Sequence, residues 1–434
     1  MKLIWIVLLA VAATFGLALF FDPPATLDIW VLRKQAILFT GVASFALMSL
    51  IMLLAVRPVW LEKPLDGLDR MYRAHKWAGI LAIVLGLAHY LMELGGPLLA
   101  EFIAKPAKGP RVETFLDVFR GSAKDLGEWS AWLLAAMLVI TLWQRFPYHL
   151  WRYVHKTLAV VYLVLAFHGV VLAPAGYWAQ PVGWLVAFCA VVGSLCALWS
   201  LTGQIGRRRT HEGVVVAIER PGERMLEVTC KLQGRWQHRA GQFAFLTCDR
   251  LEGQHPFTLS CSDLGNGEVR FSIKALGDYT QRLQDALKIG DPVKVEGPYG
   301  RFDFRRDKGE RQVWIAGGIG ITPFLAWLES LQVRAEDCPE VTLLYCVRSP
   351  SDAIYAGRLR ELCAKLPRID LRVHYSESEG YLQATDLGLQ PGAQGRWPSV
   401  WFCGPQALAE LLRRDLRRQG MPGSRFHQEA FQMR

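Results

Sequence analysis

None of the nine cysteines stands in C-x-x-C spacing with another, and their scatter follows no framework. An iron–sulfur cluster and a structural zinc site therefore lack support, and so does a disulfide scaffold. The cysteines from Cys230 to Cys403 all fall in the second half of the chain, which suits a reducing cytoplasm. No EF-hand loop is present, so calcium control has no basis. Internal repeats and low-complexity tracts are absent as well. Long apolar runs are missing from everything after about residue 205, and that last absence divides the chain.

What precedes residue 205 is strongly apolar. Hydrophobic residues make up 52% of the 434, and the mean hydropathy of +0.18 averages two unlike halves. A membrane-crossing helix needs about 20 mostly apolar residues. Six runs approach or meet that length: 3–21, 35–56, 77–95, 129–143, 157–174 and 182–201. The fourth is short and can be extended upstream. The first, behind Lys2, could be a signal peptide, but it is long for one and has no clean cleavage site.

The formal net charge is +10, and the basic residues cluster beside the apolar runs. Arg57, Lys63, Arg70, Arg73 and Lys76 lie in the second connection, and Arg207, Arg208 and Arg209 follow the sixth run. The positive-inside rule accounts for both clusters without a nucleic-acid partner. It predicts an integral, multi-pass protein of the cell membrane, embedded in lipid, with its N-terminus and its soluble half in the cytoplasm. The long connection 96–128 then faces the other side. Its basic and acidic residues balance.

Four of the ten histidines lie in or beside the apolar runs in a paired pattern. His75 and His89 are 14 residues apart on the third run, and His155 and His168 are 13 apart on the fifth. At about 1.5 Å per residue, each pair spans roughly 20 Å along its helix. Both helices run in the same direction, so His75 should face His155 near the cytoplasm and His89 should face His168 further out. Two imidazoles at one level can hold a haem iron from both sides. A metal also justifies polar groups placed in lipid. The plainer alternative is interhelical hydrogen bonding. Thirteen residues do not return to one helical face, so the fifth helix needs a local distortion such as a π-bulge. His149 is an alternative ligand or an interfacial residue. Arg73 and Lys76 can pair with haem propionates, although the positive-inside rule explains them equally.

The soluble half reads as two domains. Short β-type runs between 211 and 305, interrupted by a helix near 280–287, predict a small antiparallel β-barrel. From residue 311 strand and helix alternate, which predicts a parallel sheet covered on both faces. On a barrel strand, His255, Pro256, Phe257, Thr258 and Ser260 combine an aromatic for covering a flavin ring with hydroxyls for its edges and phosphate. Lys274 follows, and Gly277 and Thr280 open a helix whose N-terminus suits a pyrophosphate. Gly317, Gly318 and Gly320, with Thr322 and Pro323, form a strand-to-helix turn of the kind that admits a dinucleotide. Cys403, Gly404 and Pro405 end the last strand, where ligands of such sheets bind. Cys403 either touches the nicotinamide or is a buried inert thiol. Arg348 either pairs with the 2′-phosphate of NADPH or is a solvated arginine.

These motifs, in this order, resemble the ferredoxin–NADP reductase family over the soluble half. With His75, His89, His155 and His168, the whole chain resembles the NADPH oxidase and ferric reductase superfamily of six-helix, two-haem flavocytochromes. The resemblance implies three parts. Residues 1–205 form an all-α six-helix transmembrane haem domain, 206–305 an antiparallel β-barrel FAD domain, and 306–434 an α/β parallel-sheet domain for NADPH or NADH. It implies FAD and two haem b groups, with O2 reduced to superoxide on the far side. Phe431 matches the C-terminal aromatic that stacks on the flavin where nicotinamide enters. A ferric-chelate reductase and a non-enzymatic electron-transfer subunit serving a partner protein are the rival readings. A third keeps the flavin reductase and treats the helices as an anchor without haem.

Overall fold

The computed structural model describes residues 2–106, 114–143, 146, 148–249, 252–307, 311–392 and 395–429, with the backbone alone at 148–149. It divides into two compact units, Met1–Ile205 and Gly206–Arg434.

Among the described residues of the first unit, six helices are long and apolar enough to cross a membrane: Lys2–Phe21, Ile29–Ala55, Leu68–Leu94, Phe115–Leu142, Leu150–Leu172 and Pro181–Leu201. These are the first to sixth spans below. The fourth reaches much further upstream than its apolar core alone. The first span is part of the bundle, since Phe15 and Ala18 pack with Val182. The second is the central element. Asp28 caps it by accepting from the amides of Trp30 and Val31 at 2.9 Å each. Its Ser44 hydroxyl donates to the Ala82 carbonyl of the third span at 2.8 Å. Ser49 bonds the Tyr162 hydroxyl of the fifth at 2.7 Å, and Tyr162 donates to the Cys189 carbonyl of the sixth. Such bonds substitute between helices for the hydrophobic drive that lipid does not supply. Large apolar side chains such as Trp5, Leu9, Phe20, Trp129 and Trp184 point outward.

The fifth span is broken where the histidine spacing requires it, but not in the expected way. Helix Tyr148–Lys156 and helix Leu158–Leu172 meet at Thr157. There the Thr157 amide donates to the Val154 carbonyl at 3.1 Å and the Val160 amide to the Thr157 carbonyl at 2.9 Å, both i→i−3 bonds. Thirteen steps of about 100° fall short of four turns, and a π-bulge, rotating less per residue, would widen the shortfall. A tightened turn adds rotation instead.

The second unit begins with an antiparallel sheet of six strands: β1 Thr210–Gly222, β2 Met225–Leu232, β3 Phe243–Thr247, β4 His255–Thr258, β5 Glu268–Lys274 and β6 Pro292–Tyr299. Their order is β4-β3-β6-β1-β2-β5. The sheet is not closed into the barrel the sequence predicts. Strand β4 is only four residues long, and the two edges meet in a single bridge, Leu259 to Phe271. Helix Asp278–Ala286 lies over the apolar face through Leu283.

The parallel sheet follows, with β7 Arg311–Gly317, β8 Glu340–Val347, β9 Ile369–Tyr375, β10 Ser399–Cys403 and β11 Phe426–Glu429 in the order β11-β10-β7-β8-β9. Strand β11 is one the sequence reading misses. Strands β7 and β10 are buried almost throughout, as a sheet covered on both faces requires.

Trp327, on helix Thr322–Val333, sits fully buried where the two sheets' domains meet. Its ring stacks on Phe302 at 4.8 Å, and its indole donates to the Ala240 carbonyl at 3.2 Å. Trp327→Ala is expected to cost about 3–5 kcal/mol. Thermal release of FAD, followed by flavin fluorescence, should move down by on the order of 10 °C.

Candidate functional site

The four membrane histidines come together as two pairs. The rings of His75 and His155 are 6.1 Å apart between centroids, and those of His89 and His168 are 6.3 Å apart. A metal–nitrogen bond of about 2 Å, plus roughly 1 Å from nitrogen to ring centre, puts two ligating imidazoles about 6 Å apart. The third and fifth spans that carry them pack on the second and fourth. Three of the four rings are oriented by backbone. Nδ1 of His75 lies 3.1 Å from the Ile51 carbonyl, that of His89 2.9 Å from Ile37, and that of His168 2.7 Å from Ala123. A carbonyl only accepts, so each Nδ1 carries the proton and each Nε2 keeps its lone pair for a ligand. His155 differs: its ring stacks on Trp151 at 4.7 Å, and its Nδ1 is buried without a hydrogen bond. Among the described residues no group of three or more metal-ligating side chains converges; each histidine pair offers two imidazole nitrogens, a donor set that would suit a haem iron. The side chain of His149 lies outside the described residues.

In the second unit, the residues expected to hold a flavin line the β4 edge. His255 stacks face to face on Tyr279 at 4.0 Å. Phe257 rests one edge on Phe271 and is half-buried, as is Pro256. Thr258 is buried with its hydroxyl lacking a hydrogen-bond partner, a group suited to a flavin edge. Ser260 donates to the Arg270 carbonyl at 3.1 Å. Lys274 ends β5, paired across to Met225. Thr280 accepts from the amides of Leu276 and Gly277 at 3.0 and 3.1 Å, capping the helix that Gly277 opens.

The two glycine turns meet at the C-terminal ends of β7 and β10. A Cβ on Gly317 would stand 2.6 Å from Pro405 Cδ, and one on Gly320 would collide with the Cys403 carbonyl. Gly318 has φ +56°. These glycines thus admit the neighbouring turn at Cys403, Gly404 and Pro405, as well as suiting a phosphate. Thr322 bonds the Ile319 carbonyl, and Pro323 occupies the first turn of the helix. Cys403 is fully buried. Its thiol is 3.8 Å from Glu429 Oε2, and burial, then this carboxylate, hold it well above the ordinary thiol range. It stays a neutral thiol at physiological pH. Arg348 is exposed at the end of β8, 3.7 Å from Glu377. Phe431 lies outside the described residues.

Two features escape the sequence reading. Glu429 stands in the C-terminal stretch that leads to Phe431 but carries no role of its own in the sequence, and it gains one because β11 lies beside β10. A charged network also joins the two sheets' domains. Glu227 accepts from Tyr355 and Ser272 at 2.8 Å each, while Glu329 pairs with both Arg270 and Arg358. No spacing rule connects residues so far apart in sequence.

Family models match in the same order. Residues 40–166 match the ferric reductase like transmembrane component, 213–303 an FAD-binding domain and 314–414 an oxidoreductase NAD-binding domain. The chain is therefore an oxidoreductase with a ferric-reductase-like membrane component and sites for FAD and a nicotinamide dinucleotide. It has the ferric reductase/NADPH oxidase-type architecture, with a ferredoxin–NADP reductase-like dehydrogenase. A flavohemoprotein of Pseudomonas putida is 31% identical over 202 residues, 44% of this chain and 50% of that protein. The reductase component of a Rhodococcus jostii propane 2-monooxygenase is 25% identical over 208 residues, 45% of this chain and 56% of that one. This chain thus spans about half the length of the curated relatives it matches. A flavohemoglobin from Malassezia yamatoensis, solved with FAD and heme, shares the fold at TM-score 0.52 and 16% identity, covering 98% of each chain.

Gly320→Ala forces the end of β10 aside. The expected result is a rise of at least about tenfold in KM for the dinucleotide, with FAD content unchanged, measured by steady-state kinetics and flavin absorbance.

Proposed function

We propose that this chain takes electrons from NADPH at its cytoplasmic face and delivers them across the membrane to O2, giving superoxide. A bound FAD would supply hydride acceptance, and haems held by the four histidines would supply single-electron transfer. The observation that carries this reading is the meeting of four histidines as two facing pairs on two spans, 6.1 and 6.3 Å apart between ring centroids. His75 and His155 would hold one haem toward the cytoplasmic ends of their spans, and His89 and His168 the other further out.

The residues of the second unit do the positioning. The turns at Gly317, Gly318, Gly320 and at Cys403, Gly404, Pro405 seat the dinucleotide. Cys403, neutral and buried, packs at the nicotinamide without competing as a nucleophile. Glu429, whose Oε2 lies 3.8 Å from that thiol, accepts its S–H and holds it in place. The buried Thr258 hydroxyl meets the flavin edge, and Lys274 and Thr280 stand toward its phosphates. Arg348 receives the 2′-phosphate, because an exposed pair such as Arg348–Glu377 is weak and a bidentate phosphate bond is stronger. The basic connection 57–76 and Arg207–Arg209 support a cytoplasmic dehydrogenase.

Reduction of a ferric chelate is the second reading, favoured by the family match of residues 40–166. Purified protein is expected to carry two b-type haems per FAD, with a reduced α-band near about 560 nm. One hydride supplies two electrons, so each NADPH oxidised should yield two superoxide molecules, read as superoxide dismutase-sensitive dye reduction. Anaerobic chelate turnover far above O2 turnover favours the ferric reductase. Negligible turnover with both until a partner protein is added favours an electron-transfer subunit. A haem-to-flavin ratio well below two sinks the two-haem reading.

A further inference from the structure

Two imidazoles on different spans, facing different neighbours, are seated in one and the same way. His89 points its Nδ1 at the Ile37 carbonyl of the second span, 2.9 Å away. One turn further along that span stands Gly41, where an added Cβ would lie 3.0 Å from the same Nδ1. His168 points its Nδ1 at the Ala123 carbonyl of the fourth span, 2.7 Å away. One turn further along stands Gly127, where an added Cβ would run into the imidazole. In both cases the acceptor is the carbonyl at i and the glycine stands at i+4, so the ring lies across a helix surface stripped of its side chain. The other level is built differently. His75 reaches the Ile51 carbonyl at 3.1 Å past Ala55, and His155 stacks on Trp151 with no bond at Nδ1.

We infer that Gly41 and Gly127 are positioning residues for the His89/His168 pair. Each leaves room for its imidazole to lie close on the carbonyl, at 2.9 and 2.7 Å against the 3.1 Å of His75, where Ala55 stands at i+4, and so holds Nδ1–H as donor. A donated Nδ1–H bond raises the basicity of the ligating nitrogen. The His89/His168 level therefore has two clamped ligands and the His75/His155 level one, which makes the two levels inequivalent. This inference rests on the haem reading above.

The test uses full-length purified protein, unaltered and as Gly41→Ala and Gly127→Ala, with Gly121→Ala as control. A Cβ on Gly121, in the same helix as Gly127, meets nothing within 4 Å. Haem and FAD are quantified, and the oxidised haems are examined by low-temperature EPR and potentiometric titration. The expected result is a fall from two haems per FAD toward one, or retention of both with one low-spin signal and its midpoint shifted and the other unmoved. FAD content and anaerobic flavin reduction by NADPH should stay as in the unaltered protein, and Gly121→Ala should change nothing. Both haems retained with both signals unchanged in Gly41→Ala and Gly127→Ala overturns the inference. Where Gly127→Ala does not fold, Gly41→Ala decides, because its contact asks the ring to yield only a few tenths of an ångström. The unaltered protein is itself a check: two distinct low-spin signals are expected, and one signal of double intensity contradicts the inequivalence. Haem-free unaltered protein instead sinks the haem reading on which the inference rests.

Discussion

A neutral imidazole has two nitrogens to satisfy, one with a proton and one with a lone pair, and inside a lipid bilayer no water satisfies either. In this protein the proton goes to a helix carbonyl at His75, His89 and His168. The other nitrogen keeps its lone pair, and the paired rings stand 6.1 and 6.3 Å apart between centroids, a separation that would suit one metal ion between them. Much else in the membrane unit follows from this geometry. The central second span supplies two of the three carbonyls, and its cap at Asp28 and its serine bonds to the third, fifth and sixth spans keep those carbonyls in register. The tightened turn at Thr157 brings His155 and His168 round to meet their partners.

The dehydrogenase unit solves a different problem, the close approach of two chain turns to one ligand. At Gly317 and Gly320 the missing side chains let the end of β10 come against the end of β7, while the pairing of β11 with β10 sets Cys403 beside Glu429. The charged residues Glu227, Arg270, Glu329 and Arg358 join the antiparallel sheet to the helices of the parallel one. Breaking such a partly buried network by removing one member leaves an uncompensated charge, which is why it holds the two domains in a single relation.

Features with a short-range signature were legible in the sequence. The six spans show as apolar runs, and the parallel strands and their helices as alternating patterns. The pairing of His75 with His155 and of His89 with His168 followed from depth alone. Other features depended on what folding brings together. The sign of the distortion at Thr157 is a matter of rotation per residue, and a π-bulge turns the helix the wrong way. Strand content suggested a barrel, but closure depends on the reach of the four-residue edge strand β4. The Phe426–Glu429 strand is too short to show periodicity, so Glu429 went unnoticed. The carbonyl partners of the histidines are backbone atoms and carry no sequence signature, although the glycines that expose them do.

Passage of electrons from one face of a membrane to the other is the claim on which the rest turns. The direct measurement encloses a membrane-impermeant oxidised dye in vesicles carrying the protein and adds NADPH outside, under argon. Reduction of the trapped dye by those molecules whose dehydrogenase faces outward, lost when His89 or His168 is replaced, is the expected result. Reduction confined to dye added on the same side as the NADPH, with the trapped dye untouched, would contradict it.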